Sequence, residues 1–119
     1  MNVSILLVED DVAVREPLGE ALESAGYTVA ACGNGSEALA MLKVVTPAVI
    51  ILDIAMPVMD GAEFRQVQSR DEQLNGIPTI VMTGTKRDPQ LDEDVAEVLI
   101  KPIHPGDLVA VVNRFCGPT

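Results

Sequence analysis

Val49-Ile50-Ile51-Leu52-Asp53-Ile54-Ala55-Met56-Pro57 decides how the chain folds: an unbroken aliphatic run delivers one carboxylate and then breaks at a proline. Four large aliphatics in a row, with Pro47 before them and Pro57 after, predict a short strand buried on both faces, as in a parallel sheet covered by helices. Asp53 ends that strand. In open α/β sheets the site for chemistry lies outside the carboxyl ends of the strands, so this aspartate stands where a reaction could occur. A strand-end aspartate can also do no more than cap the next turn, and the rest of the chain decides between the two.

Working back from that stretch, Val3 to Val8 is a first apolar run that ends directly in Glu9-Asp10-Asp11. Val14, Leu18, Ala21, Leu22 and Ala25 then recur at helical spacing from Val12 to Ala25, with Asp11 as the N-cap and Gly26 as the stop. Tyr27 to Ala31 reads as a second strand, Gly33-Asn34-Gly35 as a turn, and Ser36 to Val45 as a second helix ended by Thr46-Pro47. Working forward, a third helix is expected from about Ala62 to Asp71. Ile77 to Met82 forms a fourth run ending at Thr83, and Val98 to Ile100 a fifth ending at Lys101-Pro102. Pro105 to Phe115 is a closing helix with Leu108, Val109, Val111, Val112 and Phe115 on its apolar side. Between Lys86 and Glu97 only Leu91, Val95 and Ala96 could pack, so any helix there is short or irregular. Strand and helix alternate five times, which predicts an α/β fold: one doubly wound five-stranded parallel sheet with helices on both faces.

The chain has 119 residues, the size of one domain, taken here as 1–119. Only one tyrosine, two phenylalanines and no tryptophan are present, so the core must be aliphatic. A formal charge of −10 opposes direct binding to nucleic acid or to anionic membrane, because the long-range field repels phosphate. No signal peptide or membrane span is visible. Cys32 and Cys116 have no metal-ligand spacing and read as free thiols of a cytoplasmic protein.

The polar residues that punctuate the apolar runs collect on one rim: Glu9 and Asp10, Asp53, Thr83 and Lys101. The second strand contributes none, as expected of an edge. Converging carboxylates repel one another unless a cation sits among them. Oxygen donors suit a hard divalent ion, and magnesium, which takes one or two carboxylates and phosphate oxygens, fits best. Lys101 offers a positive charge and Thr83 a hydroxyl to an anion such as a phosphoryl group. Asp53 is then the nucleophile, since carboxylates form aspartyl phosphates. Each residue also has a plainer role, as a salt-bridged lysine, a turn hydroxyl or a solvated helix start, but agreement at five strand-end positions argues for one site.

Along nearly its whole length the chain resembles the receiver domains of two-component response regulators. The resemblance is carried by ILLVEDD at 5–11, ILDIAMPVMDG at 51–61, IVMTG at 80–84 and LIKP at 99–102. It implies strand order 2-1-3-4-5 and a phosphoryl group taken from a phosphohistidine onto Asp53. It further implies magnesium held by Glu9, Asp10, Asp53 and the backbone carbonyl of Ala55, with Thr83 and Lys101 gripping the phosphoryl group. The Lys101–Pro102 bond is usually cis in this family, and an X-Pro bond makes that inexpensive. The implied partners are a sensor histidine kinase or histidine phosphotransfer protein and a downstream protein target or effector domain; a homodimer is left open. A receiver catalyses its own phosphorylation and dephosphorylation, but its role is signalling.

The sequence departs from the family pattern in three places. Val98 stands where receivers usually carry the switch Tyr or Phe, and Ile103 where a Phe is common. The interval from Thr83 to Lys101 is short, which predicts a truncated or disordered fourth helix. Ala55 and Thr85, both of modest size, imply no strong shielding of the acceptor from water. Two other functions compete. An interaction module that works without phosphorylation would not need all five chemical positions intact. A phosphatase with an aspartyl nucleophile generally has a second aspartate two residues on, where this chain has Ala55. The chain could equally be a stand-alone receiver or part of a longer regulator.

Overall fold

The structure is a computed structural model that describes residues 3–54, 59–84 and 95–116. Its elements run β1 (Ile5–Val8), α1 (Val12–Ser24), β2 (Val29–Cys32), α2 (Gly35–Met41), β3 (Val49–Asp53), α3 (Gly61–Arg70), β4 (Thr79–Thr83), β5 (Glu97–Ile100) and α4 (Pro105–Cys116). The five strands pair in parallel in the order β2-β1-β3-β4-β5. β1, β3 and β4 are buried along their whole length, as their continuous apolar runs require, whereas β2 and β5 lie at the edges. The segment 85–94, where the shortened fourth helix is expected, lies outside the described residues.

Pleating divides the core in two, because alternate side chains of a strand face opposite ways. Ile5, Leu7, Val49, Ile51, Ile80 and Met82 meet Leu18 and Leu22 of α1 and Leu108 and Val112 of α4. Leu6, Val8, Ile50 and Leu52 meet Ala38 of α2 and Phe64 of α3 on the other face. Both cysteines are free, Cys32 within the second cluster and Cys116 half-buried at the end of α4.

Several boundaries differ from the expected ones, each for a local reason. Gly26, at φ +100°, ends α1 in a Schellman motif: its N–H donates to the Glu23 carbonyl, and the Tyr27 N–H to that of Leu22. Tyr27 is thereby used in the cap, so β2 begins at Val29 rather than Tyr27 and extends to Cys32. Ile77 turns back to the Leu74 carbonyl, and β4 begins after Pro78 and runs through Thr83. α2 starts at Gly35, capped by the Asn34 side chain on the Glu37 N–H at 2.9 Å. It ends at Met41, earlier than expected, in tighter turns through Val45. α1 continues past Pro17, which removes one backbone donor; burial of Leu18 and Leu22 outweighs that loss.

Candidate functional site

β1 and β3 lie side by side with Val8 opposite Leu52, so the residues that follow them, Glu9 and Asp53, emerge together. Asp53 has the pleat parity of Val49 and Ile51 and therefore faces the α1–α4 side. The same face receives Glu9, in phase with Ile5 and Leu7, and Lys101, in phase with Leu99. The Lys101 ammonium lies 2.8 Å from Glu9 Oε1 and 3.2 Å from Asp53 Oδ2. Glu9 and Asp53 are buried, while Asp10 is exposed at the mouth. One carboxylate oxygen from each of these three residues lies within 4.8 Å of the others.

Thr83 is buried at the carboxyl end of β4, on the same rim, and its carbonyl accepts from the Lys101 N–H at 2.8 Å. Threonine and lysine are thus joined through backbone at adjacent strand ends. At the other end of β4 the Thr79 hydroxyl meets Gln68 and Arg65 of α3. The Lys101–Pro102 peptide is cis. Ala55, the expected backbone ligand, and Thr85 lie outside the described residues. The described residues on either side of 55–58 are held by backbone hydrogen bonds. The Gly61 N–H donates to the Ile54 carbonyl at 2.9 Å, and the Gly35 N–H to that of Met59 at 3.0 Å.

Two carboxylates and one ammonium leave a negative charge in excess in a dry place. Burial, and after it the adjoining Asp53 carboxyl, push Glu9 up to about 8 against the opposing pull of Lys101. Lys101 is raised as well: desolvation pulls it down, but its two carboxylate partners outweigh that and hold it above the usual lysine value. The two shifts are compatible, because a cluster with surplus negative charge keeps its ammonium and retains a proton on one carboxyl. Glu9 Oε2 is buried and accepts no hydrogen bond among the described residues. Three hard oxygen donors, one of them orphaned, fit a divalent cation of the magnesium type.

One neighbour of the site has no counterpart in the reading of the sequence. Arg15, on the first turn of α1, donates from Nη1 to the Glu9 carbonyl at 2.7 Å. The signal was its place in the helix: a residue four past the N-cap Asp11 lies over the strand end from which α1 departs.

A parallel five-stranded sheet in the order 2-1-3-4-5, with a carboxylate cluster at the ends of β1 and β3 and a lysine after the edge strand β5, defines a flavodoxin-like class. A family model for the response regulator receiver domain matches residues 5–113, and the chain belongs to that family. Response regulator MprA of Mycobacterium ulcerans is 39% identical across the whole chain, and that of Mycobacterium tuberculosis 37%. The chain spans about half the length of these curated relatives, 52% and 53% respectively. Among solved structures, the chemotaxis response regulator CheY4 of Vibrio cholerae superposes with a TM-score of 0.84 at 29% identity, covering 97% of this chain and 99% of that one. The signal receiver domain of a histidine kinase from Syntrophus aciditrophicus gives 0.86 at 31% identity, over 95% and 89%. The receiver domain of a sensor histidine kinase from Pseudomonas aeruginosa gives 0.88 at 25% identity, over 99% and 100%, and carries a magnesium ion coordinated in its active site cleft.

Proposed function

We propose that Asp53 is the phosphoacceptor of this receiver, with Glu9, Asp10 and Asp53 as side-chain ligands of a magnesium ion and the Ala55 carbonyl as a backbone ligand. The observation that carries the reading is Lys101 Nζ at 2.8 and 3.2 Å from the two buried carboxylates, in the same pocket as the acidic cluster. A carboxylate oxygen of Asp53 attacks the phosphorus of a phosphohistidine; the O–P bond forms, the N–P bond breaks, and the imidazole leaves and takes up a proton. Lys101 is close enough to exchange its contact with Asp53 for one with an incoming phosphoryl oxygen. Thr83 supplies a hydroxyl from the rim. The ion, when bound, contributes positive charge against the phosphoryl oxygens. Water later hydrolyses the acyl phosphate, so the chain supplies the groups for both its phosphorylation and its dephosphorylation.

The donor in this reading is a sensor histidine kinase or a histidine phosphotransfer protein in the cytoplasm, and the output is an altered contact with a downstream target or effector domain. Among the described residues no helix is long and apolar enough to cross a membrane. Incubation with magnesium and acetyl phosphate, followed by intact mass measurement, tests the acceptor: one phosphoryl adduct is expected, absent in Asp53→Asn. An adduct that persists in that variant removes Asp53 from its role. Lys101→Ala should keep magnesium binding, since the ammonium competes with a cation there, while losing the conformational response to phosphorylation. Amide spectra recorded before and after phosphorylation check this, and a normal response contradicts the role given to the lysine.

A further inference from the structure

The backbone of Glu9 is held from both sides. Its N–H donates to the Cys32 carbonyl at 3.0 Å, which carries the β1–β2 pairing one residue past the strand. Its carbonyl accepts from Arg15 Nη1 at 2.7 Å. Arg15 is half-buried, and the absence of a side chain at Gly33 leaves its guanidinium room: a Cβ there would come within 3.4 Å of Nη1. A guanidinium donor makes the bond charge-assisted and stronger than a neutral one. The carbonyl it holds belongs to the peptide between Glu9 and Asp10. Because that peptide is planar, fixing its oxygen sets the direction in which the chain leaves β1, and with it how the two acidic side chains diverge.

We propose that Arg15 is a positioning residue for the divalent-cation site: by gripping the Glu9 carbonyl it orients the Glu9–Asp10 peptide and keeps both carboxylates within ligand distance of Asp53. The inference rests on the cation-site reading above. It makes a prediction of distinctive sign. Arg15 is itself a positive charge near a cation site, so by Coulomb repulsion alone its removal would tighten cation binding. If its task is to orient ligands, removal weakens binding instead.

The test is a calorimetric titration of magnesium chloride into the metal-stripped full chain and its Arg15→Gln, Arg15→Met and Arg15→Lys variants, at one pH and ionic strength. Thermal melts in EDTA accompany it. Glutamine and methionine are good helix formers without charge, and neither reaches the carbonyl as a guanidinium does. Affinity is expected to fall roughly tenfold or more in both, the range seen when groups that orient metal ligands are removed. Arg15→Lys, which keeps the charge on a flexible point donor, should fall between them and the wild type. Should one neutral variant fail to melt cooperatively, the other carries the comparison. Neutral variants that bind magnesium as tightly as the wild type, or more tightly, overturn the proposal and leave the cation site standing. Lower melting temperatures with unchanged affinity overturn it too, since Arg15 would then serve only α1. A wild-type chain that takes up no magnesium removes both readings.

Discussion

Lys101 stands between Glu9 and Asp53, and burial beside the Asp53 carboxyl makes Glu9 the harder of the two to ionise. Glu9 rises from 4.5 in the unfolded chain to about 8 in the fold, so between those values the folded state holds a proton that the unfolded state has released. Stability then falls as pH climbs through that window. Lys101 is raised as well, but its contribution is complete below the ordinary lysine value of 10.5 and changes only above it. In EDTA the melting temperature is therefore expected to drop between pH 5 and pH 8, and to drop less in Glu9→Gln. A melting temperature that climbs steadily across this range in the wild type would contradict the burial argument. The acidic residues and the lysine were legible in the sequence because each directly follows an apolar run, and a parallel sheet brings all such ends to one rim. Arg15 was not, since an arginine on an amphipathic helix looks the same in sequence whether it meets solvent or a strand-end carbonyl.

At the scale of elements, the close approach of α2 and α3 to Met59 and to Asp53-Ile54 depends on two glycines that start helices. A Cβ on Gly61 would lie 2.6 Å from Ile54 Cα and 2.7 Å from the Asp53 carbonyl oxygen, both backbone atoms that cannot rotate away. At Gly35 it would lie 2.8 Å from Met59 Cγ and 2.9 Å from the Met59 carbonyl oxygen. α2 and α3 therefore begin against the chain on either side of the acceptor loop with no side chain between. Gly61→Ala should destabilise the fold by about 2–3 kcal/mol, the upper part of the range for overpacking, despite the better helix propensity of alanine. Gly76→Ala, with nothing within 4 Å of the added carbon, is the control and should stay within about 0.5 kcal/mol. Urea denaturation of the two variants checks this, and equal midpoints would mean that the loop yields easily. The elements themselves were legible from apolar runs and helical spacing, including α1 across Pro17. Their ends were less so. Where β2 and β4 begin is decided by how Tyr27 and Ile77 spend their backbone donors, which residue type alone does not reveal.

For the molecule as a whole, the largest electrostatic fact is the net charge of −10 in a body of 31 × 31 × 24 Å. At 0.01 M salt the Debye length is about 30 Å, comparable with the whole molecule, so every carboxylate feels the rest; at 0.15 M it shrinks to about 8 Å. Self-repulsion of this kind disfavours the compact state, and screening should relieve it. Sodium chloride is thus expected to raise the urea midpoint gradually over this interval in the wild type and in any variant that leaves the surface charge nearly unchanged. Magnesium chloride at matched ionic strength should add a second, saturable increment, because an ion that binds only the folded state stabilises it by mass action. The two contributions separate by mutation: Asp53→Asn should keep the gradual response to sodium and lose most of the saturable one. Since that substitution removes one charge of ten, general screening changes little, and a magnesium increment that survives it intact would place the binding elsewhere on the acidic surface.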